Sequence, residues 1–125
     1  MSNTKLEPSA VTVTSLDEKF ISSLMNEIEK GIPNPEFNIS SLEKEMGMSH
    51  ANFYRKITSL KSQSGKEILQ DMRMKRAKQL LTDTKDIRVS DVAYMVGFTN
   101  AKYFGKCFKE KYNITPSEFK NMGEH

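Results

Sequence analysis

The sequence predicts an all-α fold of about seven short helices, and three observations carry that reading. Apolar residues recur at three- and four-residue spacing in successive segments, and no run alternates at period two long enough to make a strand. Ser or Thr followed three positions later by Glu recurs at Ser15–Glu18, Ser40–Glu43, Ser64–Glu67 and Thr115–Glu118, the pattern of a helix-starting capping box. One helix–glycine–helix phrase also occurs twice, fifty residues apart.

Residues 1–14, MSNTKLEPSAVTVT, are polar and aperiodic, and read as a flexible linker or the end of a larger protein. Residues 15–36 hold an acidic helix over about Asp17 to Lys30, with Phe20, Ile21, Leu24, Met25 and Ile28 on one side. It is expected to stop at Gly31, since Pro33 and Pro35 cannot continue it. Residues 37–63 read as a first helix-turn-helix: a short helix from about Ser41 to Met46, Gly47, then a helix after Ser49 carrying Phe53, Ile57 and Leu60 inward. Residues 64–84 form a linking helix from about Gly65 to Leu81, with Ile68, Leu69, Met72, Ala77 and Leu80 on its apolar side. Residues 85–122 repeat the first pattern: Asp91–Val96, Gly97, Ala101–Tyr112, and a last turn or two from Pro116. Proline suits that first helical position because its missing N–H has no intrahelical partner there.

The repeat is detailed. Ile39-Ser40-Ser41-Leu42 aligns with Val89-Ser90-Asp91-Val92, and Met46-Gly47-Met48 with Val96-Gly97-Phe98. Past the glycine one residue is inserted, so Ser49 aligns with Asn100, Phe53 with Phe104, Arg55 with Lys106 and Ile57 with Phe108. Each glycine permits a sharp turn at positive φ, where a side chain would be strained. At about 100° per residue, with Phe53 inward, Ala51 and Arg55 point away, flanked by His50, Asn52 and Tyr54. With Phe104 inward, Lys102, Lys106 and Lys109 point away, Tyr103 flanks them, and Asn100 is placed to cap the helix. Cationic and hydrogen-bonding side chains on the outer face of such a helix suit a DNA major groove. The linking helix, about seventeen residues at about 1.5 Å each, spans about 25 Å; with its turns it can separate two such helices by about 34 Å, one turn of DNA.

Charge agrees. Net charge is only +3, but residues 49–88 hold ten Lys and Arg against four Asp and Glu, whereas residues 1–48 hold four against eight. A basic middle is the expected footprint for a polyanion. Arg73, Lys75, Arg76 and Lys78 on the linking helix account for much of it, facing either phosphates or internal carboxylates. The single cysteine, Cys107, excludes an internal disulfide or a multi-cysteine zinc site, is expected to be a small packed residue, and fits a reducing cytoplasmic setting. No apolar run approaches the roughly 18 residues needed to span a membrane, and no secretory signal is visible. An enzyme is the weakest reading: the histidines are His50 at a helix start and His125 at the terminus, and neither a Ser–His–Asp arrangement nor metal-ligand spacing is present, so no cofactor is expected. A helical adaptor whose basic face docks an acidic protein is the alternative to DNA binding.

The second half, SDVAYMVGFTNAKYFGKCFKEKYNITPSEFK, resembles the signature of AraC-type transcription regulators, and MGMSHANFYRKI and DMRMKRAKQLL in the first half also fit. The resemblance covers roughly residues 37–120 and implies two homeodomain-like helix-turn-helix units joined by a helix, reading successive major grooves of double-stranded DNA to regulate transcription. It places Ala51, Tyr54, Arg55, Ala101, Lys102, Tyr103 and Lys106 at base-facing positions; Ser49, His50, Asn52, Lys56, Asn100 and Lys109 complete the surface as backbone-contacting or flanking residues. It also implies RNA polymerase as a partner and no small-molecule ligand in this region. VTVTSLDEKFISSLMNEIEKGIPNPEFNIS resembles the segment before this domain in response regulators, including hybrid two-component sensors, so an output domain of a larger signalling protein is expected. Six positions depart from the family pattern. Glu43 replaces a small residue and is expected to loosen the first unit; Lys61-Ser62 replaces a Thr-Gly turn; Gly65 replaces a proline; Asn113 replaces a glycine; and Lys106 replaces an arginine.

Overall fold

The computed structural model describes residues 14–60 and 63–123. Seven α-helices follow in order: α1 Ser15–Gly31, α2 Ile39–Glu45, α3 His50–Leu60, α4 Gly65–Asp83, α5 Val89–Met95, α6 Ala101–Tyr112 and α7 Pro116–Met122. Among the described residues there is no strand, as the apolar spacing predicts. The linker expected at residues 1–14 lies outside the described residues except for Thr14, as does the Lys61-Ser62 departure.

Two of the four expected capping boxes form where expected, Ser64–Glu67 on α4 and Thr115–Glu118 on α7. The other two begin earlier: Thr14 and Asp17 close the box on α1, and Asn38 and Ser41 close it on α2. An aspartate or serine at the third position serves as well as glutamate, and this frees Glu18 and Glu43 from capping. The end of α1 also differs. Gly31 is helical and the cap is Ile32 in right-handed geometry, so Pro33 supplies the stop. A side chain at Gly31 would collide with the Phe37 ring, 2.4 Å from a Cβ, so that glycine serves close packing rather than a turn.

One core joins the two units. Leu24, Ile28 and Ile32 meet Leu42, Phe53 and Ile57 in the first, while Val92, Val96, Phe104 and Phe108 are buried in the second. The aligned pairs Leu42 with Val92, Phe53 with Phe104 and Ile57 with Phe108 are therefore buried in both copies, whereas Ile39, Val89, Met46 and Met48 are half-buried against the core. The linking helix departs from a single apolar side. Met74 and Leu81 are buried outright, whereas Met72 and Leu80 are only half-buried. The reason is position: α4 packs against α1, α2, α5 and α7 and so buries more than one face. In the second unit the aromatic rings form a chain, Phe98 to Phe104 at 5.4 Å, Phe104 to Phe108 at 5.9 Å and Phe108 to Tyr112 at 4.8 Å between centroids. Such tilted and edge contacts add about 0.5–1.5 kcal/mol each beyond the area they bury.

Candidate nucleic-acid interface

Both turns have the same construction. Gly47 and Gly97 hold φ of 65° and 87°. The N–H of Met48 donates to the carbonyl of Glu43 at 2.9 Å and that of Gly47 to Lys44 at 3.1 Å. In the second copy Phe98 donates to Ala93 at 2.9 Å and Gly97 to Tyr94 at 3.1 Å. These paired bonds satisfy the last carbonyls of α2 and α5 and aim the following helix. Ser49 then accepts from the N–H of Asn52 at 3.2 Å, and Asn100 from that of Tyr103 at 3.0 Å, so both start their helices as caps. Asn113 ends α6 in the left-handed conformation, φ 60°, which asparagine tolerates in place of glycine.

The outer faces of α3 and α6 carry most of the expected base-facing residues. Ala51, Tyr54 and Arg55 are exposed on α3, and Lys102, Tyr103 and Lys106 on α6; Ala101 is half-buried instead, on the flank toward the core. Tyr54 and Tyr103 expose 57% and 55% of their surface. The Arg55 guanidinium bonds along its own helix, to the side chain of Asn52 and to the carbonyl of Ala51 at 3.5 Å. The Cys107 thiol, one helical turn along, raises the Tyr103 phenol pKa above its ordinary value. Cys107 itself is half-buried at the core's edge.

Three expectations change in three dimensions. Glu43 does not loosen the first unit: it is buried at 8% exposure, and its Oε2 accepts from His50 Nδ1 at 2.7 Å. In the second unit the matching positions are Ala93 and Ala101, so a polar pair replaces an apolar one. His50 is thereby tied to α2 by its Nδ1. Lys56, expected beside the phosphates, bonds Asp17 on α1 and lies over the Phe20 ring at 5.9 Å. That hydrogen bond, followed by the Thr14 backbone N–H, lowers the Asp17 pKa. Arg73 faces neither a phosphate nor a carboxylate. It is buried, and its Nη2 donates to the carbonyls of Asn34 at 2.9 Å and Phe37 at 3.3 Å, while burial lowers its pKa. Lys78 is likewise engaged, over the rings of Tyr112 at 4.8 Å and Phe119 at 5.7 Å. Lys75 remains exposed.

Thr58 and Asp17 belong to the site's description and were not singled out by sequence. Thr58 is exposed at the position where α6 has Lys109, with its hydroxyl donating to the Tyr54 carbonyl at 2.9 Å. The repeat offset contains that signal. Asp17 reads only as a helix-start acid, because its partner lies 39 residues away. Among the described residues, no group of three or more His, Cys, Asp or Glu converges to hold a metal ion, and no helix is long and apolar enough to cross a membrane.

Residues 42–122 match the profile of a family described as "Helix-turn-helix domain". The chain is 37% identical to a histidine kinase, P4, of Formosa agariphila over 96% of its own length but 9% of the kinase's. It is 32% identical to the HTH-type transcriptional regulator MtrA of Neisseria gonorrhoeae over 73% of its length and 30% of that protein's. The chain thus spans less than a third of the length of either of these relatives. Among solved structures, a Chromobacterium violaceum transcriptional regulator described by its AraC-type DNA-binding domain has the same fold, with a TM-score of 0.78 and 18% identity over 88% of this chain and 96% of that one.

Proposed function

The chain belongs to the AraC-type helix-turn-helix family, and on that premise we propose that α3 and α6 enter successive major grooves of double-stranded DNA, reading its sequence to regulate transcription. The observation that carries the reading is the matched pair of turns. Gly47 and Gly97 each launch a helix that exposes a cation at the same step, Arg55 in one and Lys106 in the other. At 19 residues, α4 is about 28 Å long, which with its turns suits reading helices about 34 Å apart.

The two readers are unequal. A guanidinium presents a planar fork that fits the acceptor edge of guanine, whereas an ammonium is a point charge without that geometry. Arg55 is therefore the sharper reader, and Lys102 and Lys106 add affinity with less base selectivity. Ala51, Tyr54 and Tyr103 line the same faces, with half-buried Ala101 at the margin; Ser49, Asn52, Asn100 and Lys109 sit where the rims of the groove pass. The match to a short part of a histidine kinase supports an output domain within a larger signalling protein; the kinase activity belongs to that relative. The resemblance to transcription regulators further implies a cytoplasmic setting and RNA polymerase as a partner.

Selection of bound sequences from a random duplex pool tests the reading. An asymmetric site with two contacted segments one helical turn apart is expected, and no enrichment would refute sequence reading. On the selected duplex, Arg55→Ala or Lys106→Ala should cost about 1–3 kcal/mol. Equal losses on random DNA would mean that the residue touches only phosphates.

A further inference from the structure

The first reading helix differs from the second in what grips its flank. Helix α1 touches α3 through side chains, with the Phe20 ring 6.2 Å from that of Phe53 and 5.9 Å from the Lys56 ammonium. At the start of α1, Asp17 is buried at 8% exposure, yet it bonds the Lys56 ammonium from across 39 residues of chain. Lys56 is next to Arg55 and half-buried between α1 and the outer face of α3. An α-helix with its side chains is about 10–12 Å across and the major groove about 12 Å wide, so the flanks of an inserted helix meet the phosphates on the groove's rims. A lysine at that flank is a phosphate ligand by position, and here a carboxylate already holds it.

The repeat shows that this is particular to one unit. The capping box of α1, Thr14 with Asp17, recurs fifty residues later on α4 as Ser64 with Glu67. The position matching Lys56 is Cys107, so the second unit has the acid without the cation. Its own tie between first and third helices, Lys111 to Asp71 at 3.0 Å, lies at the far end of α6, beyond the residues that face outward near its start.

We propose that Asp17 is an affinity-determining residue that acts as an internal phosphate mimic, withholding Lys56 from the DNA backbone. This rests on the DNA-binding reading above and adds to it that α1 sets how tightly the first unit holds its half-site. Drawing Thr14–Asp17 away from α3 would release one further phosphate contact, independent of sequence.

The test is equilibrium binding across a salt series for the wild type, Asp17→Asn, Lys56→Gln and the double variant, on a selected duplex and a random one of equal length. Asparagine keeps the capping oxygen, and melting curves establish that each variant is folded; Asp17→Glu, which retains the charge, should behave as the wild type. Freeing one phosphate contact steepens the salt slope by about 0.9 and tightens binding about three- to sixfold near 0.15 M salt. Asp17→Asn should show that gain equally on both duplexes, Lys56→Gln alone should change binding less than about twofold, and the double variant should lose the gain. A gain that survives Lys56→Gln, no gain in a folded Asp17→Asn, or a loss on Lys56→Gln alone as large as the expected gain would each overturn the proposal while leaving DNA binding intact. Failure of the wild type to bind either duplex would overturn the DNA-binding reading and this proposal together.

Discussion

Gly47 and Gly97 perform the same turn, yet they are not equivalent residues. A Cβ at Gly47 would meet nothing within 4 Å, whereas at Gly97 it would sit 2.4 Å from the Ile32 carbonyl oxygen and 3.0 Å from the Arg73 guanidinium carbon. Gly47→Ala should therefore cost only the left-handed backbone, about 1–2 kcal/mol. Gly97→Ala adds a collision with backbone that cannot rotate aside, and should cost at least about 3 kcal/mol. Urea unfolding of the two variants measures the difference; equal losses would contradict the packing of Ile32 against the second turn. The turns themselves are legible in sequence, because a glycine between apolar neighbours after a short capped helix has few other uses. The crowding at Gly97 is not, since Ile32 and Arg73 come from other elements.

At the scale of elements, α4 is the piece whose role sequence describes least well. Its cations Arg73, Lys75, Arg76 and Lys78 look alike as a string, but Arg73 turns inward and holds the α1–α2 connection by two carbonyls. Arg73→Met should remove those bonds, leave two carbonyls without their donor, and destabilise the domain by about 2–3 kcal/mol. Lys75→Met, on an exposed part of the same helix, should change stability by no more than about 0.5 kcal/mol. Thermal melts of both variants check this, and equal behaviour would mean that Arg73 is not the tie between the first unit and α4. The same helix explains why an apolar face read at helical spacing was incomplete. A helix shared by two units buries several sides, and a single stripe cannot describe it.

Across the whole molecule, carboxylates tie the fold at separate places. Asp17 joins α1 to α3 through Lys56; Asp71 joins α4 to α6 through Lys111; Glu118 accepts from the Thr115 N–H and closes the cap of its own helix, α7. All three have lowered pKa values. For Asp17 the main cause is the Lys56 hydrogen bond, and for Glu118 it is the Thr115 backbone N–H. At Asp71, burial pushes upward but is outweighed by hydrogen bonds from Gln63 and Lys111. A carboxyl group with a lowered native pKa binds fewer protons folded than unfolded. The stability it contributes is thus complete above the ordinary carboxylate range near pH 4 and is lost as pH falls through the lower folded values. Urea midpoints should hold from neutral pH to about pH 5 and fall below pH 4, and Asp71→Asn should flatten that fall. A midpoint insensitive to acid would show that these pairs contribute nothing.

By itself the sequence determined seven helices, two glycine turns, the buried partners Phe53 with Phe104 and Ile57 with Phe108, and the outward faces that carry Arg55 and Lys106. Those features are local: helical period, capping chemistry and the φ preference of glycine act within a few residues, and the repeat states each of them twice. Only the tertiary structure decided that Glu43 pairs with His50, that Arg73 is internal and that Asp17 occupies Lys56. Whether a charge meets solvent, a phosphate or another helix depends on which flanks the packed helices bring together. The Asp17–Lys56 and Arg73–Asn34 contacts each bridge 39 residues, beyond the reach of any local pattern.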